Sequence, residues 1–276
     1  MATTTASPGD GDRGDVTALL VDLDGVIYEG DEPVAGAADA VGWLREHAIP
    51  HLFVTNTTSR PRSAIAERLA ALGVAVGEND ILTPPVAAAG WLREHVEGPV
   101  ALFVQEATRS EFDGLVIAGE SADRVGAVVV GDYGDGWNFA TMNNAFRLLM
   151  NDPQPALVAL GMTRYWQAPE GLRLDTAPFV VALAHASGAE PVVLGKPAPA
   201  FFEAALRQLG ARPEAAAMIG DDIRGDVGGA QAAGLAGIQV RTGKFRPSDL
   251  DGDIAPDLVI DSIAVLPQYW ERLAAP

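Results

Sequence analysis

The chain has 276 residues, a formal net charge of −18 at pH 7 and no cysteine. The absence of cysteine excludes disulfides, thiolate metal sites and cysteine nucleophiles, and it fits a cytoplasmic location. The negative charge argues against binding to nucleic acid or to a membrane surface, and an acidic protein that binds a phosphate ester needs a local positive group such as a metal ion or a lysine.

Residues 1–15 are rich in Thr, Gly and Asp and are predicted to be a disordered leader. Beyond them, short apolar segments alternate with amphipathic ones, a pattern typical of a parallel sheet covered by helices on both faces. The fold class is therefore predicted to be α/β. No apolar run reaches the roughly 20 residues of a membrane-spanning helix. The predicted strands are residues 17–21, 50–55, 100–104, 126–131, 156–160, 191–194, 216–220, 237–240 and 258–260.

Nine strands are many for one sheet, so we expect two α/β units. The predicted division has one unit at residues 16–83 and 191–276, and a second unit at 84–190 inserted into it.

The first predicted strand ends in two carboxylates one residue apart, Asp22 and Asp24, followed by Gly25. Ligands of open parallel sheets bind beyond the carboxyl ends of the strands. Both carboxylates can therefore face one crevice, one as nucleophile and metal ligand and the other as acid or base. Gly25 permits the turn that this requires. Asp and Gly are also ordinary turn residues, so this motif alone is equally compatible with an acidic loop.

Two further strands end in polar residues. After residues 50–55, the Thr55 hydroxyl and the Asn56 main-chain N–H could hold a phosphoryl oxygen, although the hydroxyl residues that follow also suit a helix cap. After residues 191–194, Lys196 could neutralise both an attacking carboxylate and a phosphoryl group. A lone lysine, however, is usually a solvated surface group.

A fourth strand is followed by Asp221, Asp222 and Asp226. Asp221 is placed to ligate a hard cation through oxygen, with Asp226 at the start of the next helix behind it. The helix dipole would also favour acids there. Without a cation such as Mg²⁺, acids concentrated in one site would repel each other strongly. We expect all four motifs to meet at the carboxyl edge of a single sheet.

The ordered set Asp-x-Asp-Gly, Thr-Asn, Gly-Lys-Pro and Gly-Asp-Asp-x-x-x-Asp resembles the haloacid dehalogenase-like (HAD) hydrolase superfamily over about residues 18–260. The long spacing between the second and third motifs resembles the branch with a large α/β cap inserted there. Residues 55–58, 144–149 and 226–231 are similar to the subgroup that contains phospholysine phosphohistidine inorganic pyrophosphate phosphatase.

This resemblance implies a Rossmann-like parallel-sheet core at residues 16–83 and 191–276 and an α/β cap domain at 84–190. It implies Mg²⁺-dependent hydrolysis of a phosphate monoester, phosphoramidate or pyrophosphate of a small metabolite through a phospho-aspartyl intermediate. It also implies a homodimer formed through the cap. The implied site residues are Asp22 as nucleophile, Asp24 as general acid and base, Thr55 and Asn56 as phosphate binders, Lys196 as charge stabiliser and phosphate binder, Asp22, the Asp24 carbonyl and Asp221 as Mg²⁺ ligands, and Asp222 and Asp226 as supports of these ligands.

Three other functions share part of this residue pattern. A dehalogenase shares the aspartate nucleophile but needs neither a metal nor the second aspartate, so Asp24 and Asp221 speak against it. A receiver-type phospho-acceptor module is usually much shorter, and its acids are adjacent in sequence. A phosphate-binding protein with little catalysis on the HAD scaffold would not need polar residues intact in all four motifs.

Substrate choice is predicted to involve the segment 160–166, which combines a flexible glycine with Arg164, Tyr165 and Trp166. Such a loop could close over the site and select the leaving group while it excludes water. The alternative is that the aromatic residues pack within the inserted unit and Arg164 is a solvated charge.

Overall fold

The computed structural model describes residues 15–119, 121–168 and 170–274. The predicted leader therefore lies outside the described residues except for Asp15. The strands are β1 (Ala18–Asp22), β2 (Tyr28–Glu29), β3 (Glu32–Pro33), β4 (His51–Val54), β5 (Ile81–Leu82), β6 (Val100–Phe103), β7 (Ala127–Val130), β8 (Ala156–Ala159), β9 (Tyr165–Ala168), β10 (Gly171–Leu174), β11 (Pro191–Val193), β12 (Ala216–Gly220), β13 (Ala236–Val240) and β14 (Leu258–Ile260).

Helices connect most of these strands. Within the described part of the chain, no helix is both long and apolar enough to cross a membrane. The α-helices are α1 (Ala37–Glu46), α2 (Arg62–Ala71), α3 (Pro84–His95), α4 (Phe139–Leu149), α5 (Thr176–Ser187), α6 (Pro199–Leu209), α7 (Gly229–Ala232) and α8 (Leu266–Leu273).

The strands form two parallel sheets. The first sheet has the order β14-β13-β12-β1-β4-β5, and the second has the order β11-β8-β7-β6. Every neighbouring pair in both sheets is parallel. Two antiparallel hairpins, β2–β3 and β9–β10, accompany them. All nine predicted strands are present, which confirms the α/β fold with a Rossmann-like parallel-sheet core.

Alternate side chains of each strand point to opposite faces of its sheet, and helices pack against both faces of each sheet. Leu19 and Val21 of β1 pack with α1, α2 and α8, whereas Leu20 faces the layer formed by α3 and α6. The α3–α6 layer also covers one face of the second sheet, where it meets Leu102 and Val129. Helices α4 and α5 cover the other face of that sheet. The two sheets are thus joined through one shared apolar layer.

The boundary of the inserted unit differs from the prediction at its C-terminal end. Pro191–Val193 is predicted to belong to the core, but it pairs in parallel with Ala156–Ala159 of the second sheet. A short apolar strand suits either sheet equally, so its sequence could not reveal its partner. Helix Pro84–His95, predicted to begin the inserted unit, lies in the layer that both sheets share. The division into a core and a separate cap domain stays a prediction.

Candidate active site

Three predicted site residues lie at one edge of the first sheet. Asp22 is the last residue of β1, Thr55 directly follows β4, and Asp221 directly follows β12. Strand β1 lies between β4 and β12 and is parallel to both, with Asp22 opposite Val54. All three side chains are buried. The strand order therefore brings these side chains together at the carboxyl edge of the sheet.

Lys196 reaches this edge from the second sheet, because it follows Pro191–Val193. The expectation that all four motifs end strands of a single sheet is therefore wrong for the Gly-Lys-Pro motif. The Lys196 ammonium donates to Asp22 Oδ1 at 2.7 Å and to Asp226 Oδ1 at 2.6 Å, and the side chain is only 4% exposed. Burial lowers the pKa of Lys196, but the Asp22 and Asp226 carboxylates outweigh burial and raise this pKa above its usual value.

The Asn56 side chain fixes the main chain of Lys196 at two points. Asn56 Nδ2 donates to the Lys196 carbonyl at 2.9 Å, and Asn56 Oδ1 accepts from the Lys196 N–H at 2.8 Å. A phosphate contact by Asn56 would therefore use its main-chain N–H. The Thr55 hydroxyl is also oriented, because Thr55 Oγ1 accepts from the Thr57 N–H at 3.2 Å and lies 3.0 Å from Thr57 Oγ1.

A π-helical segment, Ile223–Gly228, positions Asp222 and Asp226 after β12. Asp222 caps this segment, since its Oδ1 accepts from the N–H of Arg224 at 3.0 Å and of Gly225 at 2.9 Å. Burial opposes ionisation of Asp222, but these bonds and the nearby lysines lower its pKa. Asp226 Oδ2 accepts from the Asp222 N–H at 3.1 Å. Asp226 thus contacts Lys196 directly with one oxygen and the Asp222 main chain with the other.

Asp22, Asp221 and Asp226 form a buried acidic cluster whose candidate ligand oxygens all lie within 4.8 Å of one another. Asp221 Oδ2 accepts from the Lys244 N–H at 2.7 Å. Asp221 Oδ1 is buried and has no hydrogen-bond partner among the described residues. Three carboxylates and the Lys196 ammonium leave two negative charges, which one divalent cation would balance. Hard cations prefer oxygen ligands, so these residues fit Mg²⁺.

Burial controls the protonation of these acids. Burial and the neighbouring Asp226 carboxylate raise the pKa of Asp22 to about 8, against the opposing effect of Lys196. Burial also raises the pKa of Asp221 to about 6, against the hydrogen bond from the Lys244 N–H. A bound cation favours the ionised form of its carboxylate ligands and would lower both pKa values.

Asp24 has a different environment from Asp22, because it is exposed and lines the open cavity at this edge. The chain can pass this close to the acids only through Gly25, which has a φ of +82°. A Cβ at Gly25 would lie 2.1 Å from Asp221 Oδ2. A carboxyl group open to the cavity suits proton exchange with a bound molecule, the role predicted for Asp24.

A cavity of about 520 Å³ lies between this sheet edge and the inserted unit. A volume of this size is typical of sites for small molecules. The first sheet and its loops contribute the predicted residues Asp22, Asp24, Thr55, Asn56, Asp222 and Asp226 to the lining, and Lys196 joins them. The inserted unit contributes Asp132, Thr163, Trp166 and Asp175.

Among the described residues that line the cavity, Trp166 is present, but Arg164 and Tyr165 are not. Tyr165 and Trp166 are neighbours in β9, so their side chains point to opposite faces of the hairpin. The Arg164 guanidinium lies 5.8 Å from the centre of the Tyr165 ring, which is 51% exposed. A specificity role for Arg164 and Tyr165 stays a prediction, and the cavity lining favours Thr163 and Trp166.

Lys244 is a site residue that the four motifs did not indicate. It lines the cavity, and its Nζ lies 3.7 Å from Asp222 Oδ2. The sequence does contain an indication of Lys244. This residue follows the predicted strand 237–240, and residues 241–246 have the highest density of basic residues in the chain. Asp132 and Asp175 had no such signal, because their place in the cavity depends on how the inserted unit folds back over the first sheet.

Two family profiles match the chain: residues 19–117 match a haloacid dehalogenase-like hydrolase profile, and residues 193–266 match a HAD-hydrolase-like profile. The chain belongs to the HAD-like hydrolase family.

Named relatives extend this result. Human phospholysine phosphohistidine inorganic pyrophosphate phosphatase is 38% identical over 254 residues, which cover 90% of this chain and 92% of that protein. Haloacid dehalogenase-like hydrolase domain-containing protein 2 of Bos taurus is 39% identical, with coverages of 89% and 92%. The structure of p-nitrophenyl phosphatase from Archaeoglobus fulgidus superposes with a TM-score of 0.83 and 30% identity, over 92% of this chain and 99% of that chain. These findings confirm the resemblance that the motifs indicated, and the enzyme class is a HAD-type phosphatase.

Proposed function

We propose that this protein is a Mg²⁺-dependent phosphatase that acts on a small phosphorylated metabolite through a phospho-aspartyl intermediate on Asp22. One observation carries the proposal. The buried Lys196 ammonium contacts Asp22 at 2.7 Å, beside an Asp221 oxygen without a hydrogen-bond partner among the described residues. This arrangement combines a nucleophile, a fixed positive charge and a candidate metal ligand. Phosphoryl transfer depends mainly on such positioning and charge neutralisation.

The first step transfers the phosphoryl group to Asp22. Two donors, the Leu23 N–H at 2.8 Å and Lys196, hold Asp22 Oδ1, which leaves Oδ2 for the attack. A bond forms between Asp22 and phosphorus while the bond from phosphorus to the leaving group breaks. Asp24 gives its proton to the departing oxygen or nitrogen. The Thr55 hydroxyl, the Asn56 main-chain N–H and Lys196 bind the phosphoryl oxygens.

The second step releases phosphate. Asp24 accepts a proton from water, the water oxygen bonds to phosphorus, and the bond from phosphorus to Asp22 breaks. Asp22 returns to its carboxylate form, and inorganic phosphate leaves. Mg²⁺, when bound by Asp22, the Asp24 carbonyl and Asp221 with Asp226 nearby, would supply neutralisation of the negative charge on the phosphoryl oxygens.

The names of the relatives support three bond types as substrates. The human relative is named for phospholysine, phosphohistidine and inorganic pyrophosphate, and the archaeal structure is named for p-nitrophenyl phosphate. We therefore propose a phosphate monoester, a phosphoramidate or a pyrophosphate as substrate. The homodimer through the cap and the cytoplasmic location stay predictions.

Hydrolysis of p-nitrophenyl phosphate tests the proposal. We expect the wild-type protein to release p-nitrophenol with Mg²⁺ and to lose this activity in excess EDTA. Asp22→Asn should abolish turnover, because an amide is a far poorer nucleophile than a carboxylate. Asp39→Asn, at an exposed position of α1, is the matched control and should keep wild-type activity. Substantial turnover by a folded Asp22→Asn protein would contradict the mechanism, and undiminished activity in EDTA would contradict the metal assignment.

A further inference from the structure

The segment Thr242–Lys244, which follows β13, contacts the first and fourth motifs at once. Thr242 Oγ1 donates to the Gly25 carbonyl at 2.5 Å, and the Lys244 N–H donates to Asp221 Oδ2 at 2.7 Å. Between them, the Gly243 N–H donates to Glu29 Oε1 at 2.5 Å. Three successive residues thus bind the loop after β1, strand β2 and the acid after β12.

Gly243 allows the main chain of this segment to lie directly against both motifs. Its φ is +65°, a conformation that favours glycine. A Cβ at Gly243 would lie 2.1 Å from Asp221 Oδ2 and 2.6 Å from Gly25 Cα. Any side chain at this position would therefore displace Asp221, Gly25 or the segment itself.

The two carboxylate oxygens of Asp221 have different surroundings. Oδ2 is fixed by the Lys244 N–H, whereas buried Oδ1 has no hydrogen-bond partner in the described part of the chain. A carboxylate held by one oxygen presents the other in a fixed direction, so little ordering is left to occur when a cation binds.

We propose that Thr242–Lys244 is a positioning segment that sets the affinity of the site for a divalent cation. It holds Asp221 by one oxygen and Gly25 by its carbonyl, and it thereby fixes the distance between the first and fourth motifs. The main chain of Lys244 acts in this way, whereas its side chain is 65% exposed at the cavity rim. This inference rests on the Mg²⁺ site of the proposed function.

Calorimetric titration of the full chain with Mg²⁺ alone tests the proposal, with no substrate and no turnover required. We expect Gly243→Ala to weaken Mg²⁺ binding by about 10- to 100-fold, the usual effect of residues that orient metal ligands. Gly210→Ala is the matched control, because Gly210 has a φ of +68° and a Cβ added there would have no neighbouring heavy atom within 4 Å. Both variants strain the main chain, but only Gly243→Ala approaches Asp221. Gly210→Ala should bind Mg²⁺ within about twofold of wild type.

Three further substitutions at two positions separate the positioning role from folding. Thr242→Val removes the hydroxyl donor at nearly constant volume and should weaken Mg²⁺ binding about fivefold, whereas Thr242→Ser should restore it. Lys244→Ala keeps the main-chain N–H that holds Asp221 and removes a cation close to the acidic cluster, so it should not weaken Mg²⁺ binding. If Gly243→Ala does not fold, the Thr242 pair decides.

Three results would overturn the inference while leaving the phosphatase proposal intact. They are wild-type Mg²⁺ affinity in folded Gly243→Ala, wild-type affinity in Thr242→Val, or a tenfold loss in Lys244→Ala, which would assign the effect to the side chain. A wild-type protein that binds no Mg²⁺ would instead overturn the proposed function, and this inference with it.

Discussion

Replacing Lys196 by methionine should destabilise the metal-free protein, because it leaves Asp22 and Asp226 buried without their shared cation. Their oxygens lie 2.7 and 2.6 Å from the Lys196 ammonium, and all three side chains are at most 7% exposed. Removing one partner of a buried ion pair costs about 3–5 kcal/mol. Protonation of Asp22 relieves part of this cost, so we expect about 3 kcal/mol for Lys196→Met at pH 8.

The loss should depend on pH with a defined sign. In the wild type Asp22 releases its proton near pH 8, and without Lys196 the pKa of Asp22 rises further, so above about pH 8 the folded variant binds more protons than the folded wild type. The destabilisation is therefore larger at pH 9 than at pH 7. Urea unfolding in EDTA, followed by tryptophan fluorescence, measures the free energy of unfolding at both pH values.

Arg173→Met is the matched control for burial. Arg173 contacts Asp135 at 2.6 Å, a distance equal to one of the Lys196 contacts, but its side chain is 37% exposed and that of Asp135 is 98% exposed. Exposed pairs contribute little to stability, so this control should unfold close to wild type. Equal stability of Lys196→Met and Arg173→Met at pH 8 would refute the reasoning.

Three other predictions concern the remaining parts of the site. Asn56→Ala frees the main chain of Lys196 at both contacts and should lower kcat by about 10- to 100-fold with little change in KM; an unchanged kcat would contradict it. Because the folded-state pKa of Asp221 is raised to about 6, the metal-free native state binds more protons than the unfolded state between about pH 4 and pH 6. Urea unfolding should therefore show stability falling as pH rises through this window, and Asp221→Asn should make the decline less steep, while the raised pKa of Asp22 sustains the remainder; an equally steep decline in the variant would argue against the raised pKa of Asp221. Trp166→Ala should change the ratio of kcat/KM for p-nitrophenyl phosphate and pyrophosphate about tenfold, whereas Tyr165→Ala on the opposite face should change it less than twofold; similar effects of both would exclude Trp166 as the selective residue.

The sequence predicted the first sheet well because the relevant signals are local. Strands β1 and β12 are continuous apolar runs that end in acids, and parallel strands place their carboxyl ends at one edge. Asp22 and Asp221 could therefore be brought together without knowledge of the structure. Asp226 was predicted to lie behind Asp221, and its direct contact with Lys196 was not predicted. The π-helical segment that positions Asp226 has no recognised sequence pattern here.

The inserted unit was less predictable because its contribution depends on contacts between distant segments. Strand β11 has three half-buried residues, and nothing in them selects the second sheet. The segment containing Arg164 and Trp166 is predicted to be a loop, but part of it forms strand β9 of a hairpin. Which face of this hairpin meets the cavity depends on register, and a shift of one residue would exchange Tyr165 and Trp166.

The path of the chain between the two sheets makes the two junctions of the inserted unit unequal for protein engineering. At the first junction, the long helix α3 separates β5 from the first strand of the second sheet. Changes made after α3 are therefore far along the chain from the first sheet. At the second junction, β11 leads almost directly to Lys196, whose main chain is tied to Asn56. Transplanting a different inserted unit onto this scaffold would therefore tolerate a variable connection at the first junction, whereas the second would have to deliver Lys196 to Asp22 in the same position.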